Sequence, residues 1–392
     1  MTKITRKFQA GDDVHINRLY KLITGIDRTE QEYAWEWLET WDGMGSIWLV
    51  FDDSREPNDQ LIAQYSLIPT PFSFWGKKVK AGKTENCMSH PDFRGKGMYF
   101  HHERDCFEIA KKSFQIFFTT TGHVARGAPG KVRKKLGYVP FDDWVTYSYW
   151  LDRRELAKEI SSKLPITLRK RNWLNNSIAH MISKIIVMRS KIPTEITKYD
   201  IRLYPIERSP LEEIEQLWNR NAELYGISVD RTADYLKWRI NENPYISHHY
   251  LCYYEENILQ GYIIFSRQDT DLYIVDLLAN QKDNSIFINM FDHLKSYGIE
   301  KACHRIKCHT PSLNKFLIQV LSVAKFVNYA DLFTLNIFKQ KTPPKQLFVY
   351  VSDEIESEKD IWDNGYWYFT DIVKEGRPYT VRPIDHNFNQ TP

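Results

Sequence analysis

The residues with the clearest chemical potential lie in one run, KTENCMSHPDFRGKGMYFHHERDCFEIAKK, residues 83 to 112. It reads as a strand, a basic loop with two glycines, and a helix in immediate succession. Gly95 and Gly97 let the backbone turn without a Cβ, so that successive N–H groups can converge on an anion at the positive end of the helix dipole. Arg94 and Lys96 add charge at the same place. Taken alone, these four residues also fit an ordinary surface turn. The loop has neither the GxxxxGK[ST] spacing of a P-loop nor the GxGxxG of a dinucleotide fold.

Within that run, HPDFRGKGMYF resembles the acyl-CoA pyrophosphate loop of the GCN5-related N-acetyltransferases, the GNAT superfamily, which reads roughly Q/R-x-x-G-x-G/A. Arg94 stands at its first position and Gly97 at its fourth. Tyr99 departs from it where Gly or Ala is usual. The order of elements extends the resemblance from residue 4 to about 150. A strand at 4–9, helices at 14–23 and 30–41, and strands at 47–51 and 62–68 precede the loop. A strand at 115–121 and the helix end and strands of KVRKKLGYVPF follow it, with Gly137 and Tyr138 in place of the superfamily's Gly-Phe or Gly-Tyr pair. The resemblance implies that Arg94, Gly95, Lys96, Gly97, Met98 and Tyr99 hold the pyrophosphate of an acyl-CoA. It also implies that the backbone of Asn86, Cys87 and Met88 holds the pantetheine arm.

Acyl transfer from a thioester to an amine needs a neutral amine and an oriented carbonyl. On a strand from Thr84 to Ser89, Glu85, Cys87 and Ser89 would share one face. Glu85 is the candidate general base, because a partly buried carboxylate has a raised pKa; the alternative is a strand-edge Glu paired to Lys83. His123, after Gly122 at the end of the TTTG strand, is the second candidate base. His90, His101 and His102 flank the loop and are expected to meet cofactor or solvent. Where many superfamily members carry a general-acid Tyr, four residues before the glycine pair, this chain has Arg133. The acid is unassigned between Tyr138, water and no residue.

Bulk properties bound the rest. A chain of 392 residues with 42% hydrophobic and 26% charged residues is long enough for two or three cores of ordinary soluble composition. The start of the chain lacks the apolar core of a signal peptide, and no stretch approaches the ~20 apolar residues of a membrane span, so a cytoplasmic protein without integral membrane association is expected. A net charge of +3 does not announce nucleic acid. Five cysteines without a CxxC pair argue against a disulfide framework. Cys303-His304 and Cys308-His309 fall on opposite faces of one strand, so no metal site is expected there. The aromatic content is high, with 12 Trp, 23 Tyr and 21 Phe. Clusters such as Trp35, Trp37 and Trp41, or Trp144, Tyr147, Tyr149 and Trp150, fit a core first and a cleft for a flat ring second.

Residues 152–198 are strongly basic and interrupted by Pro165 and Pro193. The stretch 173–188 reads as an amphipathic helix packed across two domains, or one lying on an anionic surface. From residue 199 the first domain's pattern recurs, with YLKWRI answering WEWLETW, and strands and an irregular tail are expected over 345–392. Where the first copy has RGKG the second has ANQKDNSIF, without glycine or clustered positive charge. The expected organisation is therefore α/β (α+β): a GNAT-like domain over 1–151, a linker over 152–198, and a degenerate GNAT-like domain over 199–392. Each domain is a mixed, mostly antiparallel sheet flanked by helices, and only the first keeps the loop. The resemblance implies an acyl-CoA-dependent N-acyltransferase using acetyl-CoA or 3-hydroxybutanoyl-CoA and no metal. Its acceptor would be a small molecule, a dTDP-linked amino sugar of surface-polysaccharide synthesis. A FemABX-like aminoacyl transferase, a GNAT acting on another amine or on protein, and a non-catalytic binding protein are the alternatives. Oligomeric state is left open.

Overall fold

The computed structural model describes residues 3–122, 128–163, 200–328, 345–355 and 360–378, with residues 176–177, 179–181, 183–184 and 357. In chain order the strands are β1 (Lys3–Lys7), β2 (Ser46–Asp52), β3 (Leu61–Phe74), β4 (Lys77–Thr84), β5 (Met88–Ser89), β6 (Ile116–Thr121), β7 (Val139–Trp150) and β8 (Asp200–Pro205). They continue as β9 (Ile227–Val229), β10 (His248–Glu255), β11 (Ile258–Gln268), β12 (Asp271–Ala279), β13 (Arg305–Pro311), β14 (Val327–Asn328), β15 (Gln346–Val351) and β16 (Trp367–Tyr368). One continuous sheet runs β1-β2-β3-β4-β6-β15-β7-β13-β12-β11-β10-β8. Read from either edge the order is the same kind of unit, four antiparallel strands and then a parallel fifth. Along this path the parallel pairs are β4 with β6 and β12 with β13.

The middle of the sheet is shared. The first part of β7 pairs with β15 through Val139↔Val349 and Asp143↔Gln346, and its remainder pairs with β13 from Trp144↔Pro311 to Trp150↔Arg305. The tail strands expected after residue 345 are therefore built into both halves, with β15 completing the sheet beside β6 and β16 pairing with β9. Helices cover the faces with apolar residues at helical spacing. Over Leu211–Tyr225, for example, Leu211, Ile214, Leu217, Trp218, Ala222 and Tyr225 are buried.

The repeat is most literal at two short helices. Each begins at a threonine whose hydroxyl accepts an N–H of the first turn, Thr29 from Glu32 and Thr232 from Tyr235. Each then widens into a π-helical turn, Ala34–Leu38 and Lys237–Asn241. Inside these turns Trp35 and Trp238 stack with centroids 5.4 Å apart. Trp35 Nε1 donates to Trp238 O at 2.8 Å, and Trp238 Nε1 donates to Trp35 O at 2.9 Å, across 203 residues of chain. The helix expected over 30–41 is thus two shorter pieces, because the widened turn is what brings each indole to the other's carbonyl. A strand at Lys77–Thr84, masked by its four lysines, also lies outside the sequence reading.

The reciprocal bonds give a stability prediction. Trp35→Phe removes one buried donor while keeping a ring, and should cost about 1–3 kcal/mol in urea unfolding with the m-value unchanged. A loss below a few tenths would show that the pair does not hold the halves together.

Candidate functional site

The strand expected from Thr84 to Ser89 is not continuous. β4 ends at Thr84, Asn86 has φ 46°, and the chain resumes as β5 against Ala63 and Gln64 of β3. This kink breaks the expected alternation of Glu85, Cys87 and Ser89 and carries the chain away from β6. Because β4 and β6 pair only over Ala81–Lys83 and Ile116–Phe118, they splay beyond that point. The loop follows the splay. Gly95 (φ 75°) and Gly97 (φ 76°) are both left-handed, and a Cβ on either would meet nothing within 4 Å. Gly97 caps the Met98–Ala110 helix without any side-chain hydrogen bond. Among the described residues, no protein acceptor takes the N–H groups of Gly95, Lys96, Gly97 or Met98. This open, donor-lined helix start fits an anion such as a pyrophosphate.

The corresponding place in the second half is filled by the chain itself. There Gln281 and Lys282 take positive φ, and the N–H of Gln281 is held by Asn221 Oδ1 at 2.7 Å. The Asp283 carboxylate caps the Asn284–Glu300 helix by accepting from Ser285 N at 2.7 Å. A negative charge already sits where an anionic ligand would have to bind.

Around the first loop, Arg94 Nε donates to Ser89 O at 3.3 Å, and Lys96 Nζ lies 5.6 Å from the centre of the Phe93 ring. His90 is buried, with Nε2 3.1 Å from Asp59 Oδ1, and His102 is buried against Trp48 O, its pKa pushed down to about 4 by desolvation. Both are structural, contrary to the expectation of cofactor or solvent contact; His101 is exposed. Tyr99 packs on Val50, Ile62 and Ala63 with its hydroxyl buried and unpartnered, and burial raises its pKa well above the usual value. Met88 is core, Cys87 Sγ faces Glu85 O, and Asn86, with its amide oriented to suit its neighbours, accepts from Trp37 Nε1 and Arg28. These side chains point into structure, so a ligand in the splay would meet backbone here. Arg133 is buried and ion-paired with Glu103. The Tyr138 hydroxyl, pushed up to about 12 by burial, lies 3.0 Å from Thr84 Oγ1 at the start of the splay.

Glu85 faces the other side of the strand break, into a small cavity lined by Trp35, Glu36, Ile68, Glu85, Trp238, Arg239, Glu375 and Arg377. Its free volume of about 10 Å³ admits one water. Lys83 Nζ is 2.8 Å from Glu85 Oε2, with the two side chains 5% and 17% exposed. Both readings of Glu85 thus meet in one residue, a lysine-paired carboxylate that also faces a cavity. Desolvation first, and then the charge of Glu375, push its pKa up to about 7 against the opposing pull of Lys83. Across the cavity Glu36 accepts from Arg28 at 2.8 Å, from Arg377 Nε and Nη2 at 2.7 Å each, and from Tyr245 at 3.1 Å.

His123 lies outside the described residues, as does most of the expected helix at 173–188. Of the aromatic clusters, only Trp35 lines the cavity; Trp37, Trp144, Tyr147 and Trp150 are buried. Glu36, Trp238, Arg239, Glu375 and Arg377 were not singled out in the sequence. For Trp238 the signal was present in the WEWLETW and YLKWRI correspondence, whereas nothing local marks Glu375 or Arg377.

No protein-family model and no curated protein sequence matches the chain. Solved structures do. A conserved Enterococcus faecalis protein of unknown function, described as a "probable N-acyltransferase", superposes with a TM-score of 0.58 at 13% identity, covering 90% of this chain and 73% of that one. A GCN5-related N-acetyltransferase from Anabaena variabilis gives 0.54 at 12%, with 89% and 73% covered. A tandem GNAT protein of the clavulanic acid biosynthesis pathway gives 0.51 at 10%, with 89% and 98% covered. At these identities the likeness is one of fold, and the chain has the mixed α/β fold of a tandem GNAT protein. Among the described residues no helix is long and apolar enough to cross a membrane.

The raised Glu85 pKa has a measurable consequence. The folded chain keeps this proton up to about pH 7, whereas an ordinary glutamate loses it near 4.5. Between those values the folded state binds the proton and the unfolded state does not, so this residue's contribution to stability falls as pH rises. Relative to wild type, Glu85→Gln should therefore gain stability from pH 4.5 to 7 in urea titrations. Parallel pH–stability curves would contradict the buried, partly protonated carboxyl.

Proposed function

We propose that this protein is an acyl-CoA-dependent N-acyltransferase whose acceptor amine meets the acyl group between the splay and the Glu85 cavity. The observation that carries the reading is the contrast between the two helix starts, one open with unclaimed N–H donors at Gly95–Met98 and the other closed by Asp283. Arg94, Gly95, Lys96 and Gly97 would hold the pyrophosphate, and the backbone of Asn86, Cys87 and Met88 the pantetheine. Bound there, acyl-CoA supplies the thioester whose carbonyl carbon forms the C–N bond as the C–S bond breaks, one of the ammonium's two departing protons ending on the thiol and the other in solvent. Glu85 accepts the first of these protons, with His123 as the other candidate base. The cavity admits no more than a water-sized group, so only the amine end of an acceptor would reach Glu85. The acceptor we favour is an amino sugar, in the narrower reading a dTDP-linked one of surface-polysaccharide synthesis. The acyl group would be acetyl or 3-hydroxybutanoyl.

The deciding experiment is thiol release from acetyl-CoA and 3-hydroxybutanoyl-CoA against free and nucleotide-linked amino sugars and simple amines. No release with any pair would sink the proposal. Gly97→Val should abolish CoA binding in calorimetry while the fold is kept, because β-branching opposes a φ of 76° and narrows the approach of the pyrophosphate. Unchanged CoA affinity would move the cofactor elsewhere. Glu85→Gln should lower turnover by roughly 10²–10⁴-fold with little change in CoA affinity. If His123→Asn does this instead while Glu85→Gln keeps full rate, the histidine is the base.

A further inference from the structure

The cavity in front of Glu85 has a second carboxylate, Glu375, delivered by the segment that follows β16. That segment is tied down on both sides of it. Before it, Asp371, Ile372 and Val373 are buried, and Arg239 Nε donates to Ile372 O at 3.1 Å. At the residue itself, Arg239 Nη1 donates to Glu375 O at 3.0 Å. After it, Asn243 Nδ2 donates to Gly376 O at 2.9 Å, and Arg377 grips Glu36 with two hydrogen bonds of 2.7 Å. Gly376 has φ 75°, and a Cβ there would fall 2.7 Å from Arg239 Nη1 and 3.0 Å from the Trp35 ring. Only glycine lets the backbone pass this close to the tryptophan wall, and the pass aims Glu375 at Glu85.

We propose that Glu375 is the partner of Glu85 in a carboxyl pair that holds one proton between its two side chains, making this end of the cavity a receptor for an ammonium group. The inference rests on the acyl-transfer reading for its chemistry, whereas the pair itself is a property of the ligand-free protein. Two carboxylates lining one poorly solvated cavity ionise in succession, the second only above the ordinary carboxylate range. The charges around them divide the roles. Glu85 faces Lys83 on its own strand, Arg239 on the π-helical turn, and Glu36 and Arg377 across the cavity. Burial alone would raise Glu375, but Lys83, Lys345, the hydrogen bond from Glu85 and Lys374 hold it below the usual carboxylate range. Glu375 is thus the standing charge and Glu85 the carrier of the shared proton.

An acceptor arriving as R–NH₃⁺ is attracted by that standing charge. With Glu85 ionised, one N–H bond breaks, an O–H bond forms on Glu85, and the electron pair stays on nitrogen as the nucleophile. The substrate class is a primary amine bound as its cation rather than an amide, alcohol or thiol. Glu375 is a positioning residue in this scheme, since it sets the proton affinity of Glu85.

The test is an infrared titration of the full-length, ligand-free protein, following the protonated-carboxyl band. Wild type should lose a band with a midpoint near pH 7, Glu85→Gln should lack it, and Glu375→Gln should shift the midpoint down by about 1 unit because the like charge is gone. Glu375→Asp, which withdraws the charge by one methylene, should fall between. A midpoint unmoved in both Glu375 variants, or no such band in wild type, overturns the pair. With the best amine from the acceptor panel, the acidic limb of kcat/KM should move down by the same amount in Glu375→Gln, which a merely structural role would not produce. If the infrared shifts appear but Glu85→Gln keeps full turnover, the pair stands and the acyl-transfer role of Glu85 fails.

Discussion

Two indole N–H groups, each donated to the other tryptophan's carbonyl, are the constraint on which the rest of this structure depends. Trp35 and Trp238 occupy matching places in two copies of one pattern, so the contact is nearly two-fold symmetric and fixes where one half lies against the other. A buried carbonyl that lost its donor would carry a desolvation penalty that shape-filling does not recover. The π-helical turns that present these groups also position Glu36 and Arg239, the next residue of each copy. The register of the halves and the shape of the cavity are therefore set by the same few residues.

The two copies share a backbone plan and differ in electrostatics. At the helix start, the first copy leaves its donors open beside Arg94 and Lys96, and the second closes them with Asn221 and Asp283. In the segment before each threonine cap the same spacing carries Arg28 and Arg231, used differently. Arg28 serves Glu36 at the cavity, while Arg231 makes a bidentate pair with Asp276 in the dry centre of the second half, where Tyr262 and Thr370 also donate to that carboxylate. Removing one partner of a buried pair so fully hydrogen-bonded leaves an uncompensated charge and is strongly destabilising.

Much of this was legible in the sequence where local chemistry and local structure coincide. Arg94, Gly95, Lys96 and Gly97 marked their loop because positive φ and an uncapped helix start demand particular residue types. The repeat was legible for the same reason, through apolar periodicity. What escaped depended on distant partners. The kink at Asn86 follows from its bonds to Trp37 and Arg28, not from its neighbours in sequence. The strand at Lys77–Thr84 hides an inward half behind its lysines, and Lys83, one of them, is buried. Glu375 and Arg377 sit in a polar tail with no periodic signal, and their meaning arises only when the tail is laid across the tryptophans.

The shared strand at the centre of the sheet limits how such a molecule can be taken apart. β7 gives one end to each half, and β15 returns from late in the chain to lie between β6 and β7. A fragment ending near residue 151 would leave β6 without β15 and the whole of β7 without partners, bare hydrogen-bonding edges of the kind that template aggregation. Each half takes a neighbouring strand from the other's span of sequence, β6 receiving β15 and β13 receiving β7.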